Sequence, residues 1–387
     1  MNASRASFRR LATPAGIAAI TLVVASLIVI GRLSTFSWDP SRFVLAGEGL
    51  SDPSRVPANI HVIRGAYGYD GQAYYRLALD PFTDKKVDHG ITLDSPAYRQ
   101  QRIGYPLLAW AVSLGGRTTI VPWALIGINV LALAAIAWFG ASIAQEFGRS
   151  ALWGALFPVF PGFVVSLARD LVEPLAIAFL LCGILLLTRK RSTWGALFLT
   201  AGVLTRETTL LVPVGLAIAF LVPRTVIHEE RRPAREFVLP AAVFVAWQLF
   251  LYARWHHLPI LNNPNATDPP FVGFSRGLSD FISARGYLSV IEMTLLVTFA
   301  VLVLTMIRKP PAAASLRAAA LLAVILVIVL DHTVWEDHAH FLRAFTETYV
   351  LGTLVAMRSL TNRAMARMAT LVTAIWIPVV ALFIRRL

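Results

Sequence analysis

Along the chain, apolar runs long enough to cross a bilayer alternate with short polar breaks, and no stretch between them is large and polar enough to make a soluble domain. A hydrocarbon core takes about 20 helical residues to cross, and only helices or closed barrels satisfy their backbone polar groups inside it. On that criterion the runs predict roughly eleven spans. They lie near 14–31, 119–143, 150–167, 172–188, 193–205, 208–223, 237–254, 287–307, 314–330, 342–357 and 368–384. The expected fold is an all-α polytopic membrane protein, one integral membrane domain over 1–387, with a long first outer loop at 32–118 that bears interfacial helices. Within that loop, 95–116 is punctuated by Gly104 and Pro106 and reads as a helix lying in the interface, with Arg99 and Arg102 at headgroup level. The stretch "GYDGQAYY" at 68–75 places Asp70 between two glycines, with Tyr69, Tyr74 and Tyr75 as side chains suited to a membrane interface.

Composition agrees with the pattern: 57% of residues are hydrophobic and only 15% charged. The net charge of +13 does not imply nucleic acid, because Lys and Arg fall in short clusters between apolar runs. With Arg5, Arg9 and Arg10 in the cytoplasm, Arg149, "RKR" at 189–191 and the basic loops at 224–235, 308–317 and 358–367 all fall on the same side, the bacterial plasma membrane being the expected location. The exceptions are "RR" at 385–386 and several arginines within the outer loops. The first run is longer than a signal-peptide core and reads as an uncleaved anchor. The single cysteine, Cys182, excludes an intrachain disulfide and any Cys-based metal site. "NAT" at 265–267 fits a glycosylation acceptor triplet that chance alone often supplies.

Ionisable residues outside the basic clusters gather on the opposite, outer face. In "ARDLVEPLA", helical spacing puts Arg169, Asp170 and Glu173 on one face, and charges near hydrocarbon need a partner or a watery cavity. Arg206 and Glu207 interrupt two apolar stretches in the same way. A guanidinium fork at the membrane surface is suited to a phosphate; the plain alternatives are a paired helix end at the first site and a solvated turn at the second, although two such interruptions are harder to call accidental. "DHTVWEDHAHFLRAF" at 331–345 packs three His and three carboxylates into ten residues. That mixture admits a divalent cation, but it matches no zinc spacing, and a solvated loop accounts for most of it. His340 and Arg343 stand closest to the next apolar run. No Walker-type or dinucleotide-binding glycine motif occurs.

Tyr69-Asp70 in the first outer loop, then Pro161, Phe163, Ser166 and Glu173, then Arg206, resemble the GT-C superfamily of polytopic glycosyltransferases. The similarity is greatest to the mannosyltransferases that add the second mannose of GPI anchors and to their bacterial relatives. It covers about the first 220 residues. Tyr69-Asp70 stands where the eukaryotic enzymes have tryptophan and Asp, and "TRE" where they have Arg followed by small polar residues. The resemblance implies a polyprenyl-phosphate-sugar donor and a glycan, lipid or protein acceptor reached from the non-cytoplasmic side. Inverting transfer then needs a carboxylate base, for which Asp70 is the candidate. Arg102, Arg206, His340 and Arg343 are candidates for the donor phosphate, and Tyr69, Arg169, Asp170, Glu173 and Glu207 for orienting substrates. No metal ligand is assigned. A lipid-linked glycan ligase, or a transporter or flippase, remains the alternative, although a transporter is expected to place its charges near the midplane of two repeated halves.

Overall fold

The computed structural model describes residues 12–223, 232–261, 267–308 and 312–384. Arg5, Arg9, Arg10, most of the 224–235 loop, Asn265 of the acceptor triplet and Arg385–Arg386 lie outside the described residues. Helix dominates. In chain order the helices are α1 (Pro14–Thr35), α2 (Asp70–Leu79), α3 (Pro96–Gln100), α4 (Gly104–Val112), α5 (Val121–Glu146), α6 (Pro161–Leu167), α7 (Glu173–Thr188), α8 (Ser192–Thr205) and α9 (Leu211–Leu221). They continue as α10 (Arg235–Trp255), α11 (Val272–Ser283), α12 (Tyr287–Ile307), α13 (Ala314–Ile328), α14 (His332–Trp335), α15 (His338–Ala344), α16 (Thr346–Ser359) and α17 (Asn362–Ile384).

Among the described residues, five helices are long and apolar enough to cross a membrane, namely α1, α5, α10, α12 and α17, in place of the eleven spans expected. Two physical reasons account for the difference. Helices α7, α8, α9 and α13 are apolar but have only 16, 14, 11 and 15 residues. The runs at 150–167 and 342–357 are not single helices: the first is a 3-10 turn at Ala151–Leu156 followed by α6, which opens on Pro161, and the second is divided between α15 and α16.

Helix α1 shows why the long helices suit lipid. It buries Ile17, Ala25, Val29 and Leu33 at helical spacing and exposes Val23, Val24 and Leu27, a surface that water would not tolerate. It packs on α5, which packs on α7, and the layer continues through α8 to α10. A second series runs from α9 through α13 to α16, with α12 lying against α16 and α17. Helix α7 is buried along almost its whole length.

The outer loop differs in part from expectation. Two miniature sheets pin it, one parallel between Ala46–Gly47 and Val62–Ile63, the other antiparallel between Val87–Asp88 and Ile91–Thr92. The 95–116 segment is two helices, α3 and α4, meeting at Gly104, where a Cβ would lie 2.2 Å from Thr205 Oγ1. Tyr74 and Tyr75 are not interfacial: both are wholly buried, because α2 packs against α4 and α5 as part of the core.

Candidate functional site

Asp70 is the first residue of α2, and Tyr69 ahead of it is extended. The approach is fixed from the loop side: Gln72 Oε1 accepts from Gly47 N at 3.1 Å and from Ser51 Oγ at 2.9 Å, and Tyr69 N donates to the Leu45 carbonyl at 3.1 Å. The two glycines serve different ends. Gly68 has φ +89°, the left-handed region that glycine enters without strain. Gly71 is needed for closeness, since a Cβ there would lie 2.5 Å from the Arg169 carbonyl oxygen and 2.7 Å from that of Val44. Helix α2 therefore starts directly against the turn before α7.

That contact brings the predicted residues together. Arg99 Nη1 donates to Asp70 Oδ1 at 2.7 Å and Arg343 Nη2 to Asp70 Oδ2 at 3.0 Å. Arg99 also forms a fork to Asp94, at 2.8 Å on both nitrogens. Arg343 extends the chain inward: Nε donates to Glu173 Oε1 at 2.8 Å and Nη1 to the Tyr69 hydroxyl at 3.1 Å. Glu173 is wholly buried and takes a further bond from Ser166 Oγ at 3.0 Å. Arg206 stands behind it, with Nη1 3.7 Å from Glu173 and 3.2 Å from Glu347. Thr208 Oγ1 donates to Glu347 as well. Beside this chain, Arg102 grips Glu207 through Nε at 2.9 Å and Nη2 at 2.5 Å, and reaches the hydroxyls of Tyr74 and Tyr98.

Electrostatics follow from the pairing. Burial favours the neutral acid at Asp70, but Arg99, Arg343 and Arg102 outweigh it and hold the carboxyl well below the usual range. Burial pushes the Tyr74 phenol up to about 12, so it stays a donor or acceptor and not an anion. Arg169 differs from the other arginines. Its guanidinium lies 4.4 Å from the Tyr69 ring centre, partly exposed, with no carboxylate in ion-pair range among the described residues. His340 stacks on the same ring at 5.6 Å, and the Arg343 guanidinium lies 5.4 Å from its centre.

Carboxylates of the protein take the guanidiniums of both Arg99 and Arg102. One expectation requires correction. Arg169, Asp170 and Glu173 do not share a helix face, because α7 begins only at Glu173 and Asp170 sits in the preceding turn with φ +49°. Asp170 is fully buried with no hydrogen bond on either oxygen, and Arg32 is the cation that acts on it. It makes neither a hydrogen bond nor a ring contact with the other candidates. Burial holds its carboxyl well above the ordinary range.

Sequence reasoning missed Glu347, Asp94, Ser166 as a bonding partner, and the role of Arg99 as a ligand of Asp70. Glu347 carried a signal, as the only carboxylate inside the apolar run that follows Arg343. The 331–345 loop does not assemble into a metal site: among the described residues no three His, Cys, Asp or Glu converge. Asp331 and Asp337 cap helices, while His332 bridges Asp280 at 2.7 Å and Glu336 at 3.1 Å. No family model matches this chain, and no curated protein matches it in sequence.

Proposed function

We propose that the protein is an inverting membrane glycosyltransferase of GT-C type, with a mannosyltransferase the nearest kind, that moves a sugar from a polyprenyl-phosphate donor to an acceptor hydroxyl on the non-cytoplasmic side. The observation that carries the reading is a partly exposed carboxylate, Asp70, held between two guanidiniums above a buried Glu173–Arg206–Glu347 chain. In the reaction the acceptor oxygen attacks the anomeric carbon, the bond from that carbon to the phosphate oxygen breaks, and Asp70 takes the acceptor's proton. Polyprenyl phosphate leaves carrying the electron pair, and guanidiniums stabilise its charge.

The pairing makes Asp70 a weak base at rest. A donor phosphate that draws Arg343 toward itself removes one of the cations holding Asp70 ionised, and so raises the basicity of Asp70 where the proton must be taken. Arg169, the cluster arginine free of a carboxylate, is the natural first contact for that phosphate, since it shares the Tyr69 ring with Arg343. At rest Glu173, itself bonded by Ser166, holds Arg343 from beneath. Charges gathered at one end of the bundle suit an enzyme of the outer leaflet better than a midplane transport pathway.

The test is release of free polyprenyl phosphate by purified protein offered a panel of polyprenyl-phosphate sugars, wild type beside Asp70→Asn. Release by the wild type alone is expected, with a loss of about a thousandfold or more in the variant. Equal release by both proteins removes Asp70 from the chemistry, and no release from any donor by folded protein overturns the reading.

A further inference from the structure

At the other end of the same helices lies a second site. The C-terminal ends of α5, α7 and α16, the middle of α9 and the first turn of α13 enclose a cavity of about 210 Å³. Its polar wall carries Arg232, Arg358, Glu146, Thr188 and Ser315, and the remainder is apolar, with Leu187 and Leu216 representative. It is remote from Asp70. Along α7, Glu173 and Leu187 are about 21 Å apart, and along α16, Glu347 and Arg358 about 16 Å, at 1.5 Å rise per residue.

The two arginines are unequally engaged. Arg232 Nη1 lies 3.5 Å from Glu236 and donates to the Leu187 carbonyl at 3.3 Å, while Glu236 takes the Ser192 hydroxyl at 2.6 Å. Glu146 is neutralised by Arg189 at 2.7 Å. Arg358 has no carboxylate within ion-pair distance among the described residues, and its guanidinium rests 4.9 Å from the centre of the Phe147 ring. The cavity thus presents a guanidinium with unused donors at its rim, a second one beside it, and a greasy wall leading away between helices. Paired N–H donors suit a phosphate, and basic pockets between membrane helices at this face suit lipid headgroups.

We infer that this cavity binds the phosphate of an anionic phospholipid, its headgroup on Arg232 and Arg358 and its glycerol and upper acyl chain along Leu187 and Leu216. The amphipathic lining favours a lipid over a soluble phosphate, which would leave the apolar wall wet. The site is independent of whether the outer cluster transfers sugar.

The full chain, purified in a neutral detergent, is given phosphatidylglycerol, phosphatidylcholine or inorganic phosphate, and bound lipid is read by native mass spectrometry beside the thermal unfolding midpoint. Phosphatidylglycerol is expected to be retained about tenfold or more over phosphatidylcholine and to raise the midpoint. Arg232→Gln/Arg358→Gln is expected to lose both effects. Arg358→Lys, which keeps the charge without the fork, retains part of them and shows that loss is not misfolding. Lys190→Gln/Arg191→Gln, at the same basic end but outside the cavity, keeps the wild-type ratio. Undiminished retention by the double glutamine variant, or an equal loss in the Lys190 and Arg191 control, overturns the assignment. A stabilisation by inorganic phosphate equal to that by phosphatidylglycerol assigns the cavity to a soluble phosphate and overturns the lipid.

Discussion

Asp70 and Asp170 are both aspartates with little exposure, yet their surroundings give them opposite titration. The Asp70 carboxyl is held below its ordinary range, so its contribution to stability is complete above the unfolded value of about 3.9 and is lost as pH falls toward the lower folded value. The Asp70→Asn protein should unfold at a lower temperature than wild type by the equivalent of about 2 kcal/mol at neutral pH, with the gap constant above about pH 5 and narrowing below about pH 4. Thermal unfolding of both proteins across that range checks it, and a gap that widens on acidification contradicts it. Asp170 runs the other way. Its folded value is raised, so wild type loses stability as pH rises above the unfolded value. Asp170→Asn removes that penalty, and asparagine accepts the left-handed backbone at φ +49° readily. The variant should therefore melt no lower than wild type at pH 5, higher at pH 8, and still release polyprenyl phosphate. Loss of release with the fold intact would put Asp170 back among the substrate contacts.

At the scale of elements, the start of α7 is where sequence and structure part. Spacing placed Arg169 and Asp170 on the helix with Glu173, but Pro174 fits the first turn of a helix and the chain turns left-handed just before it. A periodicity argument does not see a single residue with positive φ. The ion-pair network was likewise half legible: Arg206, Arg343 and Glu173 were recognisable as costly charges beside apolar runs, while their pairing, made across Glu173, Tyr69 and Arg343, required the packing of three distant segments. Glu173 anchors that packing. Glu173→Gln leaves the Arg343 and Arg206 guanidiniums facing each other over a neutral amide, and should cost about 3 kcal/mol of stability. The thermal midpoint of the purified variant checks this, and a change below about 0.5 kcal/mol would mean that Asp70 and Tyr69 alone seat Arg343.

Across the whole molecule, the all-α, membrane-type character could be read from the alternation of runs, whereas the number of spans could not. Hydropathy counts apolar residues whether they face lipid or protein: α7 is buried along almost its whole length, whereas α8 buries half of its residues and leaves Trp194 and Leu197 exposed. The tight turn between them runs α8 back along α7 and so brings Glu173 and Arg206 to one end of the bundle together. The resulting charges nearly cancel: Arg99, Arg102, Arg169, Arg206 and Arg343 stand against Asp70, Asp94, Glu173, Glu207 and Glu347. A balanced site projects little field beyond a Debye length of about 8 Å, so it does not attract an anionic substrate from a distance. For the lipid-linked donor proposed above, encounter is then a matter of lateral diffusion in the leaflet, and the second-order rate of its turnover should change less than about twofold between 20 mM and 300 mM salt. A steep decline with salt would reveal electrostatic steering. In kinetic terms, the resting ion pairs turn what looks like a basic trap for phosphate into a quiet surface whose charge appears only on contact.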